Sequence, residues 1–199
     1  MKLLFLVAAC WVMAMPADAK EVAQLKVGHT IPDVAVKTAE GKSLSLRDAV
    51  KSNPAVLIFY RGGWCPYCMK HLQALMEIED DLKKAGYQIL AISADQPKKI
   101  AETPKRDELN YQLLSDSSME AAKAFGITFK VPDDLVTKYK NDYQIDIEAA
   151  SGESHHVLPH PAVYLVDRQG VVRFAHVNPN YKVRLDPKAI MKAVSTAEK

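Results

Sequence analysis

The stretch Ala55–Cys68, with the sequence AVLIFYRGGWCPYC, combines a strand, a turn and the start of a helix. Its first six residues, Ala55–Tyr60, are all hydrophobic, which is typical of a strand buried on both faces. Arg61-Gly62-Gly63 predicts a turn, and from Pro66 onward the apolar residues recur at three- and four-residue spacing. The stretch therefore predicts a buried strand that leads, through a tight turn, into a helix whose first turn carries two cysteines.

Strands and helices alternate on both sides of this stretch. Val34–Lys37 and Ser43–Ser45 predict a hairpin, because Gly41 lies in the turn between them. Further strands are predicted at Tyr87–Ser93, Gln112–Leu114, Ala162–Val166 and Val171–Val177, the last two as an antiparallel hairpin. Further helices are predicted from Pro97 to about Leu109, from Met119 to Phe125 behind a capping box of Ser117 and Glu120, from Pro132 to Tyr139, and from Pro187 onward. Ala149–His156 is predicted to be a loop. This order indicates an α/β fold, with a mixed central sheet flanked by helices and an N-terminal β-hairpin extension.

The composition is that of a globular protein with an ordinary core. Of 199 residues, 48% are hydrophobic and 25% are charged, and the formal net charge is +2. This balance gives no reason to expect a nucleic-acid partner. Three cysteines are too few for a scaffold held together by disulfides. The function must therefore depend on a small number of residues.

The N-terminus has the pattern of an export signal. Lys2 precedes an apolar run of about 13 residues, Leu3–Met15, and Ala17-Asp18-Ala19 matches a signal-peptidase site. The run is shorter than the roughly 20 residues that span a bilayer, so a retained anchor is less favoured. Lipidation of Cys10 is also less favoured, because apolar residues continue after it. The pattern predicts that residues 1–19 are a signal peptide cleaved after Ala19, that residues 20–199 form one domain, and that the protein is exported, in a bacterium to the periplasm.

The two remaining cysteines carry the chemistry. Cys65 and Cys68 lie one helical turn apart, so their sulfurs can come close enough to bond. The positive end of the helix dipole stabilises a thiolate at this place, and Arg61 adds positive charge nearby. A thiolate is the species that attacks disulfides and peroxides. A structural disulfide and a metal site are the alternatives, although two cysteines exclude a four-cysteine zinc site.

Five motifs resemble the thioredoxin-fold superfamily, and more closely the peroxiredoxin-like branch of the alkyl hydroperoxide reductase/thiol-specific antioxidant family. They extend over about Val27 to Val194 and are VGHTIPD (27–33), GKSLSL (41–46), FYRGGWCPYC (59–68), PAVYLVDRQG (161–170) and NPNYKVRL (178–185). The resemblance implies a thioredoxin-like sheet and thiol-based redox chemistry. We expect no cofactor and no metal on this leading interpretation.

The family's peroxidatic motif, P-x-x-x-T-x-x-C, assigns roles to both cysteines. It places the catalytic cysteine on Cys68, the threonine on Cys65 and the proline on Arg61, while the family's arginine falls on Pro161. The resemblance thus implies that Cys68 attacks a hydroperoxide and that Cys65 resolves the product to a Cys65–Cys68 disulfide. A thiol donor, such as a thioredoxin-like protein, would then reduce that disulfide.

A second hypothesis follows from the match to thioredoxins. Cys65 matches their first active-site cysteine and Pro161 their cis-proline, which implies a thiol–disulfide oxidoreductase with Cys65 as the nucleophile. This match predicts that the His160–Pro161 peptide bond is cis and that Pro161 lies against the cysteines. A third hypothesis is a metal-binding module that uses the cysteines and a histidine.

Two further residues are candidates for contact with substrate. Trp64 precedes Cys65 and is placed to shield the disulfide or to contact a substrate. His160 precedes Pro161 and, with His155 and His156, forms a group of histidines that would act as metal ligands or as a base if they lay near the thiols.

Overall fold

The structure is a computed structural model that describes residues 23–103 and 109–197. The predicted signal peptide and its cleavage site lie outside the described residues. Within the two described ranges, no helix has both the length and the apolar character needed to cross a membrane.

The centre of the fold is a mixed sheet. The strands are β1 (Ala35–Lys37), β2 (Ser43–Ser45), β3 (Ala55–Tyr60), β4 (Gln88–Ser93), β5 (Gln112–Ser115), β6 (Thr128–Lys130), β7 (Val157–Pro159), β8 (Ala162–Val166) and β9 (Val172–Val177). Seven of them form one sheet in the order β2-β1-β5-β4-β3-β8-β9, and β6 pairs with β7 separately. Strand β3 lies between β4, which is parallel to it, and β8, which is antiparallel. The predicted mixed sheet and its N-terminal hairpin, β1–β2, are confirmed.

Helices cover both faces of the sheet. They are α1 (Leu46–Ser52), α2 (Pro66–Lys84), α3 (Pro97–Ala101), α4 (Glu120–Ala124), α5 (Asp133–Tyr143), α6 (Ile147–Ser151) and α7 (Pro187–Ala197). Alternate residues of β3 point to opposite faces, so that Ile58 packs with Leu72 of α2 and Ile190 of α7, whereas Phe59 packs with Phe125 at the end of α4. All six residues of β3 are buried, as the sequence predicts. The strand is therefore fixed from both sides, and so is the turn that follows it.

Helix α3 is shorter than predicted. It ends at Ala101, and Leu109, where the sequence suggested its end, lies outside any helix. Pro104 explains the early end, because a residue that precedes proline is disfavoured in the helical region.

The capping box predicted for α4 is wrong. The carboxylate of Asp116, not the Ser117 hydroxyl, accepts hydrogen bonds from the backbone N–H groups of Ala121 at 3.0 Å and Ala122 at 2.8 Å. A carboxylate is a stronger acceptor for helix N-terminal N–H groups than a hydroxyl is. The helix consequently begins at Glu120, one residue later than the predicted start at Met119.

The segment 127–158 has more regular structure than its sequence predicts. Strands β6 and β7 pair across an intervening pair of helices, α5 and α6. Helix α6 includes Ala149–Ser151, which were predicted to belong to a loop. Asp146 caps this helix by accepting a hydrogen bond from the Ala149 N–H at 2.9 Å, and Gly152 ends it in the left-handed conformation.

Candidate active site

The turn between β3 and α2 holds the cysteines at the helix N-terminus. Cys65 is the N-cap residue, Pro66 occupies the first helical turn, and Cys68 follows in the same turn. Gly62 is required in this turn, because a Cβ there would lie 2.3 Å from Trp64 Nε1 and 2.6 Å from Asp95 Oδ1. Close packing of the turn therefore decides where the cysteines lie.

A buried carboxylate anchors the turn. Asp95, which follows β4, accepts a hydrogen bond from the Gly63 backbone N–H at 2.6 Å. Burial raises the pKa of Asp95 to about 6. Sequence reasoning did not single out Asp95, because its contact with the turn depends on the parallel pairing of β3 and β4.

The two cysteines are reduced, buried and hydrogen-bonded to each other. Cys65 is 2% exposed and Cys68 is 1% exposed. The hydrogen bond from Cys68, together with the positive charges of Arg61 and Arg184, lowers the pKa of Cys65 to about 6. Burial, followed by the interaction with Cys65, raises the pKa of Cys68 well above its ordinary value. At neutral pH the pair therefore holds one negative charge, which is mainly on Cys65, and one proton, which is mainly on Cys68.

A guanidinium from the C-terminal part of the chain contacts the inner cysteine. Arg184 lies between β9 and α7, and its Nη2 donates a hydrogen bond to Cys68 Sγ at 3.2 Å. Its Nη1 donates to the carbonyls of Tyr181 and Val183. Sequence reasoning missed Arg184, although it lies within the NPNYKVRL motif that supported the family resemblance.

A second guanidinium is enclosed by aromatic rings beside the outer cysteine. Arg61 is 3% exposed, and its Cζ lies 4.4 Å from the Tyr181 ring centroid, 4.9 Å from that of Trp64 and 5.3 Å from that of Tyr139. Its Nη2 donates a hydrogen bond to Tyr139 Oη at 2.7 Å. The rings hold Arg61 in place, and its charge acts on Cys65, as the sequence suggested.

A cavity of about 520 Å³ opens next to Cys65. Its wall includes both Trp64 and Arg61, which contact each other through the face of the indole ring. Cys68 is not part of the wall of this cavity and instead faces Arg184. The two sulfurs therefore face different surroundings: Cys65 faces a wide cavity, and Cys68 a guanidinium.

A model of the family described as "AhpC/TSA family" matches residues 27–175. The chain belongs to this family. Peroxiredoxin Bcp of Escherichia coli (strain K12) is 31% identical over 103 residues, which are 52% of this chain and 65% of that protein. Chloroplastic peroxiredoxin Q of Populus jackii is 30% identical over 156 residues, which are 78% of this chain and 62% of that protein. The chain thus spans slightly less than two thirds of the length of these relatives.

Solved structures show the same fold. Peroxidoxin BcpB from Mycobacterium tuberculosis superposes with a TM-score of 0.67 at 19% identity, over 88% of this chain and 97% of that one. Reduced Prx3 in complex with H₂O₂ from Vibrio vulnificus gives a TM-score of 0.69 at 15% identity, over 86% of this chain and 99% of that one. The thioredoxin-like architecture inferred from the sequence is confirmed.

For this AhpC/TSA chain, the prediction that the His160–Pro161 peptide bond is cis is wrong. The described residues contain no cis peptide bond, so the His160–Pro161 bond is trans. The His160 N–H donates to the Ile127 carbonyl at 2.7 Å, and the Asn178 N–H donates to the Pro161 carbonyl at 3.0 Å. These hydrogen bonds hold the chain extended between β7 and β8, where the trans isomer is the default. Pro161 borders a narrow cleft that Arg184 also lines, and its carbonyl is occupied by Asn178.

The three histidines do not converge on the cysteines. The His160 ring stacks on Phe129 with ring centroids 4.7 Å apart, and burial lowers its pKa. His155 donates from Nε2 to the Ser117 carbonyl at 2.8 Å, and His156 contacts Glu148 at 2.8 Å. In residues 23–103 and 109–197, no group of three or more His, Cys, Asp or Glu side chains is arranged to hold a metal ion. A role of His160 in substrate binding stays a prediction.

A fourth histidine supports the arginine of the site. His71 of α2 is buried and donates a hydrogen bond from Nε2 to the carbonyl of Leu185 at 3.1 Å. Burial lowers its pKa to about 4, so it is neutral at physiological pH. This contact fixes the segment that carries Arg184.

The alkylation rate of Cys65 should rise with pH around a midpoint near 6, because its pKa is lowered to about 6 by the hydrogen bond from Cys68. An unperturbed thiol would show a midpoint at about 8.5. In Cys68→Ala the hydrogen bond is lost, so the midpoint should move upward. Iodoacetamide labelling mapped to Cys65 by mass spectrometry measures both curves, and a wild-type midpoint above 8 would contradict the assignment.

Proposed function

We propose that this protein reduces hydroperoxides with the Cys65–Cys68 pair. One observation carries the proposal: Cys68, at the position of the family's peroxidatic cysteine, is hydrogen-bonded both to Cys65 and to the guanidinium of Arg184. Membership of the AhpC/TSA family and the likeness to proteins named peroxiredoxins support it. Thr and Pro of the family motif are replaced by Cys65 and Arg61. Pro161 stands where the family has an arginine, and Arg184 supplies the positive charge instead.

The first chemical step needs a thiolate on Cys68. The hydrogen bond between the two sulfurs is a direct path for the proton to move from Cys68 to Cys65. Arg184 then stabilises the Cys68 thiolate, since a charge-assisted hydrogen bond is strongest to the ionised acceptor. The thiolate attacks one peroxide oxygen and the O–O bond breaks. Cys68 becomes a sulfenic acid, and the other oxygen leaves as water or an alcohol after it takes the proton from Cys65.

The second step closes the disulfide. Cys65 has given its proton to the leaving oxygen in the first step, so it is again a thiolate and attacks the sulfenic sulfur of Cys68. The S–O bond breaks, and the hydroxide leaves as water. Over both steps, two thiols and one hydroperoxide give one Cys65–Cys68 disulfide, one alcohol or water, and one water. A thiol donor, such as a thioredoxin-like protein, restores the dithiol.

The proposal is tested on the wild-type protein by a single turnover. Reduced protein mixed with one equivalent of hydrogen peroxide should lose two thiols per peroxide consumed, and its mass should fall by two hydrogens. Thiol titration and intact mass spectrometry give both values. Peroxide that persists beside intact thiols would refute the proposed activity.

A second candidate function is the exchange of protein disulfides with Cys65 as the nucleophile. It is favoured by one observation, the low pKa of Cys65 on the wall of a wide cavity. The trans His160–Pro161 bond removes the cis-proline on which this hypothesis also depended. Reduction of insulin by the dithiol form, without any consumption of peroxide, would select disulfide exchange over peroxide reduction.

We also propose that residues 1–19 are removed and that the protein is exported, in a bacterium to the periplasm. The basic start, the short apolar run and Ala17-Asp18-Ala19 support cleavage after Ala19. Protein recovered from the periplasm of a bacterial host should begin at Lys20 by intact mass. Cys10→Ala should be processed identically, since Cys10 lies within the removed segment. An N-terminal Met1 or a lipid on Cys10 would contradict this.

A further inference from the structure

The cavity beside Cys65 combines aromatic walls with positive charge. Its aromatic lining residues are Trp64, Tyr67, Tyr139, Tyr143 and Tyr181. Its charged lining residues are Arg61, Lys138 and Lys182, and none of the described residues in its wall is Asp or Glu. The wall therefore offers flat apolar surface together with three cations.

Among the described residues, no ion pair neutralises the positive charge of this cavity. In the part of the chain that the structure describes, no carboxylate lies within ion-pair distance of Arg61, Lys138 or Lys182. Lys138 and Lys182 are exposed at the rim, and Arg61 is buried among the rings. A concave site with charge of one sign attracts ligands of the opposite sign. The cavity is thus suited to a small anion with an apolar body.

The positions of Cys65 and Cys68 indicate whether the peroxide or the reductant would bind in this cavity. Its volume of about 520 Å³ lies in the range of small-molecule sites and far exceeds the space that hydrogen peroxide needs. Cys68, which is proposed to attack the peroxide, faces Arg184 instead. Cys65 is the sulfur on the cavity wall. A molecule in the cavity therefore meets the outer sulfur of the disulfide, which is the place for a reductant.

We propose that this cavity binds a low-molecular-weight thiol bearing carboxylate groups, and that this thiol reduces the Cys65–Cys68 disulfide directly. The inference rests on the proposed function, because peroxide reduction is what forms the disulfide. Lys138 and Lys182 attract the carboxylates, and the aromatic rings contact the body of the thiol.

The two transfer steps balance with this reductant. The bound thiolate attacks Cys65 Sγ, the S–S bond breaks, and Cys68 leaves as a thiolate that accepts the hydrogen bond from Arg184. A second molecule of the thiol attacks the sulfur of the first molecule in the mixed disulfide and expels the Cys65 thiolate. That thiolate is a good leaving group because the pKa of Cys65 is low. Two thiols are oxidised to one small disulfide, and the protein regains its dithiol.

The test compares a thiol that carries two carboxylates with its diester, in which both carboxylates are neutralised. The Cys65–Cys68 disulfide is formed with diamide, so the test does not depend on peroxide reactivity. Its reduction is then followed with glutathione and with glutathione diethyl ester, each at the same thiolate concentration. Glutathione should reduce the disulfide about 10-fold faster, which corresponds to about 1.4 kcal/mol of preferential binding, and its rate should saturate with concentration.

Charge-neutralising variants locate the effect. Lys138→Gln and Lys182→Gln should each lower the rate with glutathione about 3-fold, and the double variant should remove the preference over the ester. These factors match the modest strength of exposed ion pairs. Lys123→Gln, on the exposed side of α4, is the matched control and should behave as the wild type.

Two outcomes would overturn the inference while leaving peroxide reduction intact. Equal, unsaturated rates with both thiols would show that the cavity does not select an anionic thiol and would favour a protein donor. If the lysine variants slowed a carboxylate-bearing hydroperoxide but not glutathione, the cavity would be a peroxide site. Absence of thiol loss with hydrogen peroxide would instead refute the proposed function, and the diamide-formed disulfide would still report on the thiol site.

Discussion

Replacing Cys68 with serine should lower the rate constant for oxidation by hydrogen peroxide on the order of 1000-fold or more, as expected when a nucleophile is removed. Cys68 is proposed to make the attack because the family motif aligns its peroxidatic cysteine with it and because it accepts a hydrogen bond from Arg184 at 3.2 Å. A serine hydroxyl at this position is not ionised and cannot form a sulfenic acid. Stopped-flow measurement of peroxide consumption at equal protein concentration gives the ratio.

Cys65→Ser is the matched variant and should behave differently. The first step should persist, because serine retains a hydrogen-bond donor where the family motif has threonine. Without a resolving thiol, the sulfenic acid should accumulate on Cys68 and react with dimedone. Mass spectrometry should therefore find the dimedone adduct on Cys68 in this variant and no internal disulfide.

The reverse assignment, in which Cys65 attacks the peroxide, has a physical basis in how the negative charge is shared between the two reduced cysteines. The negative charge lies mainly on Cys65 before the proton moves, since the pKa of Cys65 is lowered and that of Cys68 is raised. If Cys68→Ser consumed peroxide as fast as the wild type, Cys65 would be the attacking thiol. The assignment of both cysteines would then be reversed, and disulfide exchange through Cys65 would gain support.

Arg184→Met should slow the oxidation of Cys68 by hydrogen peroxide about 100-fold, in line with the loss of one charge-assisted donor in an active site. The guanidinium stabilises the thiolate on Cys68, and its charge also lowers the pKa of Cys65. The variant should therefore show a second effect, an upward shift in the midpoint of Cys65 alkylation with pH. A merely structural role of Arg184 would not produce this coupled shift.

Two control substitutions separate the charge of Arg184 from general effects. Arg168→Met makes the same change at an exposed turn and should leave the oxidation rate unchanged. Arg184→Lys should recover part of the rate, because lysine keeps the positive charge but lacks the planar fork of donors. An Arg184→Met protein with the wild-type rate and alkylation midpoint would show that Arg184 does not assist Cys68.

Short-range patterns in the sequence predicted the central part of the fold well. The all-hydrophobic run Ala55–Tyr60 is buried on both faces, and the cysteine spacing brings the two sulfurs into contact. Both results follow from the local geometry of a strand and of one helical turn, which neighbouring residues largely determine. The sequence was less informative where two neighbouring residues could each cap the same helix. Asp116 replaced Ser117 as the cap of α4, for example, although both precede the helix.

The sequence by itself determined the strand–turn–helix unit, the dithiol at the start of α2 and the α/β class, because each depends on residues close together in the chain. Tertiary structure alone decided the surroundings of the dithiol. Arg184 is 116 residues from Cys68, and Tyr139 is 78 residues from the Arg61 that it contacts. It also decided that the His160–Pro161 bond is trans, through hydrogen bonds to Ile127 and Asn178. Such contacts depend on strand order, register and the packing of helices on a particular face of the sheet, and residue spacing along the chain does not specify these.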